Sequence, residues 1–396
     1  MFSKSLMSLR KPAVRLRQCL IAVAGAKGQQ WKHTESSFPR QEEQYAEQQR
    51  RNRRAGHMSE LVRDFLAPAD FHRALVDVGI DFFCGVPDSL LKDFCAYITA
   101  SVAESHHVIA ANEGSAVALA AGYHLATGRT PLVYLQNSGL GNAANPLLSL
   151  ASPDVYSFPM LLLIGWRGEP GKRDEPQHMV QGQATPRLLD AMGIPSEPLP
   201  DYIAGAERAL HTALRHMRTV QGPYALLVKR QAFSPHALEL EPAFDSPLSR
   251  EAALQLLADG LHDRDVLVST TGMASRELFE YRVAREQGHE RDFLTVGSMG
   301  HASSIALGIA LQKPARQVVC LDGDGALLMH MGSLAIVGQR QPRNFKHVVL
   351  NNGAHDSVGG QPTAAADPAS LDIAQVALAC GYRQNKADLM QFLATD

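Results

Sequence analysis

Two short motifs at a fixed separation constrain this chain most. Gly323-Asp324-Gly325 closes the apolar run Gln317-Val318-Val319-Cys320-Leu321, and after a further 25 residues Asn351-Asn352 closes a second run, Lys346-His347-Val348-Val349-Leu350. Each run reads as a buried β-strand. The spacing leaves room for a helical crossover, which puts both motifs at the carboxyl ends of strands in a parallel sheet, the edge where such sheets bind ligands. An Asp, an Asn side chain and a backbone carbonyl gathered there form an all-oxygen site. That donor set suits a hard cation such as Mg²⁺, whose shell is usually completed by phosphate oxygens. Gly325 lets the backbone approach a diphosphate. Taken singly, the motifs also fit a strand–turn–helix with Asp324 as a helix cap and a turn at Asn352-Gly353; the pair at this distance favours the ligand site.

The spacing resembles the signature of the thiamine-diphosphate-dependent enzymes, a GDG followed some 25 residues later by NN. The resemblance implies that Asp324, the Asn352 side chain and the Ala354 carbonyl bind Mg²⁺, with Gly323, Gly325 and Ala326 against the diphosphate. Ala326 stands where the family often has Ser, so no hydroxyl reaches the diphosphate from there. The family also needs a carboxylate that activates the cofactor's aminopyrimidine. The stretch Val108 to Tyr123 runs strand, then Asn112-Glu113-Gly114, then a helix of small residues, and Glu113 takes that place. A Glu in the first turn of a helix is also favoured simply by the helix dipole.

The 396 residues suggest about two domains, and 45% hydrophobic with 20% charged residues supports a large core. The net charge of −2 and the lack of a basic block in the body argue against nucleic-acid binding. The five cysteines have no metal-like spacing and read as reduced core residues. No apolar run is long enough to span a membrane. Residues 1–34 carry seven Lys and Arg and no acid, the make-up of a mitochondrial transit peptide. The rival reading is a cytoplasmic protein starting at Met58, where the folded pattern begins.

From residue 58 the chain alternates helix and strand. The fold class expected is α/β, two doubly wound parallel-sheet domains without a central domain. Residues 58–230 form the first, pyrimidine-binding in the family; residues 231–249, rich in Pro, Ser and acids, form a linker; residues 250–396 form the second, diphosphate-binding domain. Gly165 to Gln183 reads as a long loop and candidate lid, Asn137 to Asn142 as a Gly/Asn loop. After Tyr382 only 14 residues remain, so the second domain reads as short at its end.

Several further stretches sharpen the resemblance: Gly85-Val86-Pro87-Asp88-Ser89, Gly165-Trp166-Arg167-Gly168-Glu169-Pro170-Gly171, Asp174-Glu175-Pro176-Gln177-His178, and Asn351 to Gln361. They resemble the branch of the family that decarboxylates phosphonopyruvate and sulfopyruvate. That branch implies conversion of a small 2-keto acid, 3-phosphonopyruvate, to phosphonoacetaldehyde and CO₂, with the cofactor as electron sink. It also implies a homodimer or larger homo-oligomer with sites at subunit interfaces. Gly297 would offer its carbonyl to the pyrimidine, and Met299 would prop the cofactor or pack as an ordinary core residue. Thr271 and Gly272 would give donors to the diphosphate. Asp88 resembles an active-site acid, although a helix cap fits it equally. Arg167, Lys172, Arg173, His178 and His355 are candidate donors for a substrate dianion. A carboligase and a non-catalytic subunit are the alternatives. A dinucleotide dehydrogenase is disfavoured, since no GxGxxG opens either domain.

Overall fold

The computed structural model describes residues 65–239 and 248–383. The leader, the Met58 start, the centre of the linker and the last 13 residues lie outside the described residues.

Two parallel sheets organise the chain. The first has six strands in the order β2-β1-β3-β4-β6-β5. These are β1 Phe83–Gly85, β2 His107–Ile109, β3 Leu132–Gln136, β4 Leu161–Gly165, β5 Ser196–Pro198 and β6 Tyr224–Val228. The second has four, in the order β10-β9-β7-β8: β7 Val266–Ser269, β8 Asp292–Leu294, β9 Val318–Gly323 and β10 Phe345–Leu350. Every pairing between these strands is parallel. The doubly wound α/β expectation therefore holds for both halves.

The physical reason lies in the strand composition. Leu161 to Ile164 and Tyr224 to Val228 are buried along their whole length, because helices cover both faces. Alternate residues feed opposite cores. Leu161, Leu163, Leu226 and Val228 join Phe71, Phe94 and Tyr134 on one face. Leu162, Ile164, Ala225 and Leu227 meet the small-residue helix Glu113–Thr127 on the other.

Two sequence expectations need correction, and the start of the linker adds an observation. The expected loop over Gly165–Gln183 becomes helical at Pro176, which opens a helix Pro176–Ala191. Proline at the first helical turn loses no hydrogen bond there, so the Gly/Pro count misread a helix start as a loop. The Gly/Asn stretch from Asn137 is a 3₁₀ turn followed by a helix Leu140–Pro146. Leu140 and Ala143 are buried there, and tertiary packing outweighs the poor helix propensity of Gly141 and Asn142. Finally, the start of the linker is packed rather than free. Phe233 stacks on Phe94 at 5.5 Å, the Leu66 N–H donates to the Ala232 carbonyl at 3.2 Å, and the Ser234 N–H donates to the Leu66 carbonyl at 3.0 Å.

Gly165 ends β4 where no side chain fits: a Cβ there would lie 1.9 Å from Asp88 Oδ1. Gly165→Ala is expected to cost about 1–3 kcal/mol through forced repacking. Urea unfolding checks this, and an unchanged midpoint contradicts it.

Candidate active site

Asp324 begins a short helix, Asp324–Met329, directly after β9. Its carboxylate is 3% exposed, and the Thr363 hydroxyl donates to Oδ2 at 2.5 Å. The backbone N–H groups of Gly325 and Asn352 also donate to it. The two motifs thus meet at adjacent strand ends, where Leu350 pairs with Gly323. Asn352 Oδ1 accepts from the Ala354 N–H at 3.1 Å, and its Nδ2 donates to Asp356 at 2.7 Å. Asp356 is in turn held by Arg250 at 2.6 Å. Residues 353–363 fold back as a hairpin, with Ala354 opposite Pro362. His355 flanks the hairpin and approaches Gly325, where an added Cβ would sit 3.1 Å from its ring.

At the end of β7 the Thr270 hydroxyl is buried without a partner. An unsatisfied buried hydroxyl at a ligand-binding edge suits a phosphate oxygen. Thr271 follows, and Gly272 has φ +98°, a conformation that favours glycine. Ser298, between Gly297 and Met299, also has positive φ, at 57°. For a residue with a Cβ that is strain of the kind found at ligand clamps. Met299 is partly exposed, so it is not an ordinary core methionine. Gly300 must be glycine, since a Cβ would lie 2.8 Å from the Ala326 carbonyl.

On the first sheet, Glu113 opens its helix and is 4% exposed. Asn142 Nδ2 donates to Oε2 at 2.8 Å, while Gly139 lies too close to the carboxylate for any side chain. Asn112 caps this helix and also donates to the Met329 carbonyl at 3.2 Å. That bond ties the Glu113 turn to the far end of the Asp324 helix of the same chain. Asp88 is wholly buried, accepting from Gln136 Nε2 at 2.6 Å and the Leu90 N–H at 2.9 Å. Burial raises its pKa, against the pull of those donors. Gln136 in turn accepts from the exposed Ser138 hydroxyl at 2.7 Å, so the network reaches the surface.

The candidate substrate donors differ in availability. Arg167 is committed: Nε donates to Asp174 at 2.9 Å, Nη2 to the same carboxylate, and Nη1 to Ser89 at 2.8 Å. The guanidinium holds the Asp174 carboxyl well below the usual range. His178 has a buried Nδ1 without a partner. Lys172 and Arg173 are exposed. Asn142, Gln136, Thr270, Asp356 and Thr363 were not singled out by the sequence. Only Asn142, inside the Gly/Asn stretch, and Asp356, inside the Asn351–Gln361 stretch, carried any signal.

The residues fit thiamine diphosphate with Mg²⁺. Asp324 is buried at the end of β9, Asn352 follows the paired end of β10 with Oδ1 on the Ala354 N–H, and the buried Thr270 hydroxyl at the end of the neighbouring β7 has no partner.

Asp324 and His355 titrate in opposite senses. Burial, partly offset by Thr363 and the backbone donors, lifts Asp324 from 3.8 to about 6. The folded state then holds more protons in that window, so this contribution is full below 3.8 and lost as pH rises through about 6. Burial lowers His355 from 6.5 to about 4, so its contribution is full above 6.5 and lost as pH falls through about 4. In cofactor-free protein, Asp324→Asn is expected to gain about 2–3 kcal/mol over wild type between acid and neutral pH. His355→Gln should drift the other way. Urea midpoints across this range test both, and pH-independent differences contradict them.

Comparison with known proteins gives a consistent picture. The model for the N-terminal TPP binding domain of thiamine pyrophosphate enzymes matches residues 69–192. That for the C-terminal TPP binding domain matches residues 270–394. A phosphonopyruvate decarboxylase of Streptomyces viridochromogenes is 37% identical over 83% of this chain and 85% of its own length. Another, from Streptomyces hygroscopicus, is 34% identical over 80% of each chain. A sulfopyruvate decarboxylase of Methanosarcina acetivorans is 30% identical over 78% of this chain and 81% of its own.

Proposed function

The chain belongs to the thiamine-diphosphate-dependent decarboxylases, among the phosphonopyruvate decarboxylases and their sulfopyruvate relatives, and from that membership we propose that it decarboxylates 3-phosphonopyruvate to phosphonoacetaldehyde with Mg²⁺ as metal. The observation that carries the reading is the meeting of Asp324, Asn352 and Thr363 at one sheet edge, with Glu113 buried at the edge of the other sheet. Phosphonopyruvate is favoured over sulfopyruvate because both Streptomyces relatives match most of the chain at higher identity. This would place the chain in phosphonate biosynthesis.

Bound thiamine diphosphate supplies the electron sink for loss of CO₂. Asp324, Asn352 and the Ala354 carbonyl would hold Mg²⁺ and through it the diphosphate, and Thr270, Thr271 and Gly272 would give the diphosphate hydrogen bonds. Glu113 holds a proton toward the pyrimidine, with Asn142 fixing the carboxylate's orientation. The Gly297 carbonyl would accept from the pyrimidine amino group, and Met299 would support the cofactor. Asp88, linked through Gln136 to Ser138, moves protons at the substrate end. The phosphonate dianion is met by Lys172 and Arg173, because Asp174 already neutralises Arg167. The active unit is a homodimer or larger assembly.

Release of CO₂ by the full chain, with cofactor and Mg²⁺, tests the proposal. Phosphonopyruvate should turn over faster than sulfopyruvate or pyruvate. Glu113→Gln should lower kcat by about 10²–10⁴-fold, the usual worth of a positioned acid–base group. Preference for sulfopyruvate would reassign the substrate, and full activity of the Gln variant would remove Glu113 from the mechanism.

A further inference from the structure

Beneath the cofactor edge lies a second cluster that this chemistry does not use. Cys320 and Asp322 point to the same face of β9, and His347 on β10 stands directly opposite Cys320. All three are buried, and their potential ligand atoms lie within 4.8 Å of one another. Both Asp322 carboxylate oxygens and His347 Nε2 lack a hydrogen-bond partner. The Nε2–Oδ2 separation of 3.4 Å is within ion-pair range but without hydrogen-bond alignment. On the other side of the ring, Nδ1 lies 3.0 Å from the Tyr382 hydroxyl. That contact fixes the ring and aims Nε2 at Asp322 and Cys320, the outer-shell arrangement common to metal-binding histidines.

We propose that Cys320, Asp322 and His347 form a structural site for a zinc-class divalent metal ion. One sulfur, one nitrogen and one carboxylate oxygen suit such an ion and do not suit Mg²⁺. Closing on a tetrahedral ion brings the three donors to about 3.5 Å from one another, a contraction that side-chain rotation supplies, and a water carried in with the ion takes the fourth position. Binding releases the Cys320 proton to solvent. Thiolate and carboxylate then cancel the divalent charge, which removes the cost of an unpaired buried carboxylate. Because the cluster is closed to solvent, loading accompanies folding. The ion staples β9 to β10, the strands that deliver Asp324 and Asn352.

The test is the full chain produced in cobalt-supplemented medium. Stoichiometric cobalt with a thiolate-to-cobalt charge-transfer band is expected. Cobalt in the all-oxygen cofactor site gives no such band, which keeps the two sites apart. Cys320→Ala should abolish the band, and Tyr382→Phe should keep it with about 10–100-fold weaker affinity. Asp322→Asn retains the thiol and serves if the Ala variant fails to fold; its cobalt affinity should fall. No band in wild type, a band that survives Cys320→Ala, or unchanged affinity in Asp322→Asn overturns the proposal.

Discussion

The Asp324 carboxylate, buried where β9 ends, is the group around which the second domain's strand-end hydrogen bonds gather. A lone buried carboxylate is costly, and this one is held by the Thr363 hydroxyl and by N–H groups of both motifs. The hairpin at 353–363 closes on its own backbone hydrogen bonds, His355 N–H to Gln361 and Thr363 N–H to Gly353, and this brings the Thr363 hydroxyl to that acceptor. Burial also leaves the carboxylate short of compensation, which is what its raised pKa expresses. A divalent cation supplies the missing charge. The site is therefore built with an electrostatic deficit, which the proposed metal would satisfy.

The first domain prepares a different kind of carboxylate. Glu113 is clamped between Asn142 and the bare backbone of Gly139, with no cation beside it. Asp88 is sealed in the same layer by Gln136 and by the absence of a side chain at Gly165. Both glycines serve close approach rather than flexibility. Two buried acids at the carboxyl edge of one sheet and one at the edge of the other fit the proposed division into proton handling and phosphate gripping. Parallel topology in both halves makes that division possible, since it gathers strand ends on one side of each sheet.

Much of this was legible in the sequence because the central strands are short, wholly apolar and punctuated by glycine. The runs Gln317 to Leu321 and Lys346 to Leu350 fall on β9 Val318–Gly323 and β10 Phe345–Leu350. The edge strands β5 and β8 were missed: each has three residues, and Ser196-Glu197-Pro198 carries no apolar run to detect. The helix at Pro176 was hidden by its own proline, and the Leu140 helix by Gly141 and Asn142, whose propensities point the other way. Thr363 and Arg250 were illegible for another reason. Their relation to Asp324 and Asn352 exists only after the hairpin closes, and no local pattern encodes it. Arg167 shows the converse: its residue type suggested an anion site, while Asp174, seven residues on, already occupies it.

The central claim is that the two motifs form one metal-dependent diphosphate site. Calorimetric titration of thiamine diphosphate into the full chain, with and without Mg²⁺, tests it most directly. The account predicts tight binding that requires Mg²⁺ and is lost in Asp324→Ala. Binding that ignores Mg²⁺, or persists in the variant, would contradict it.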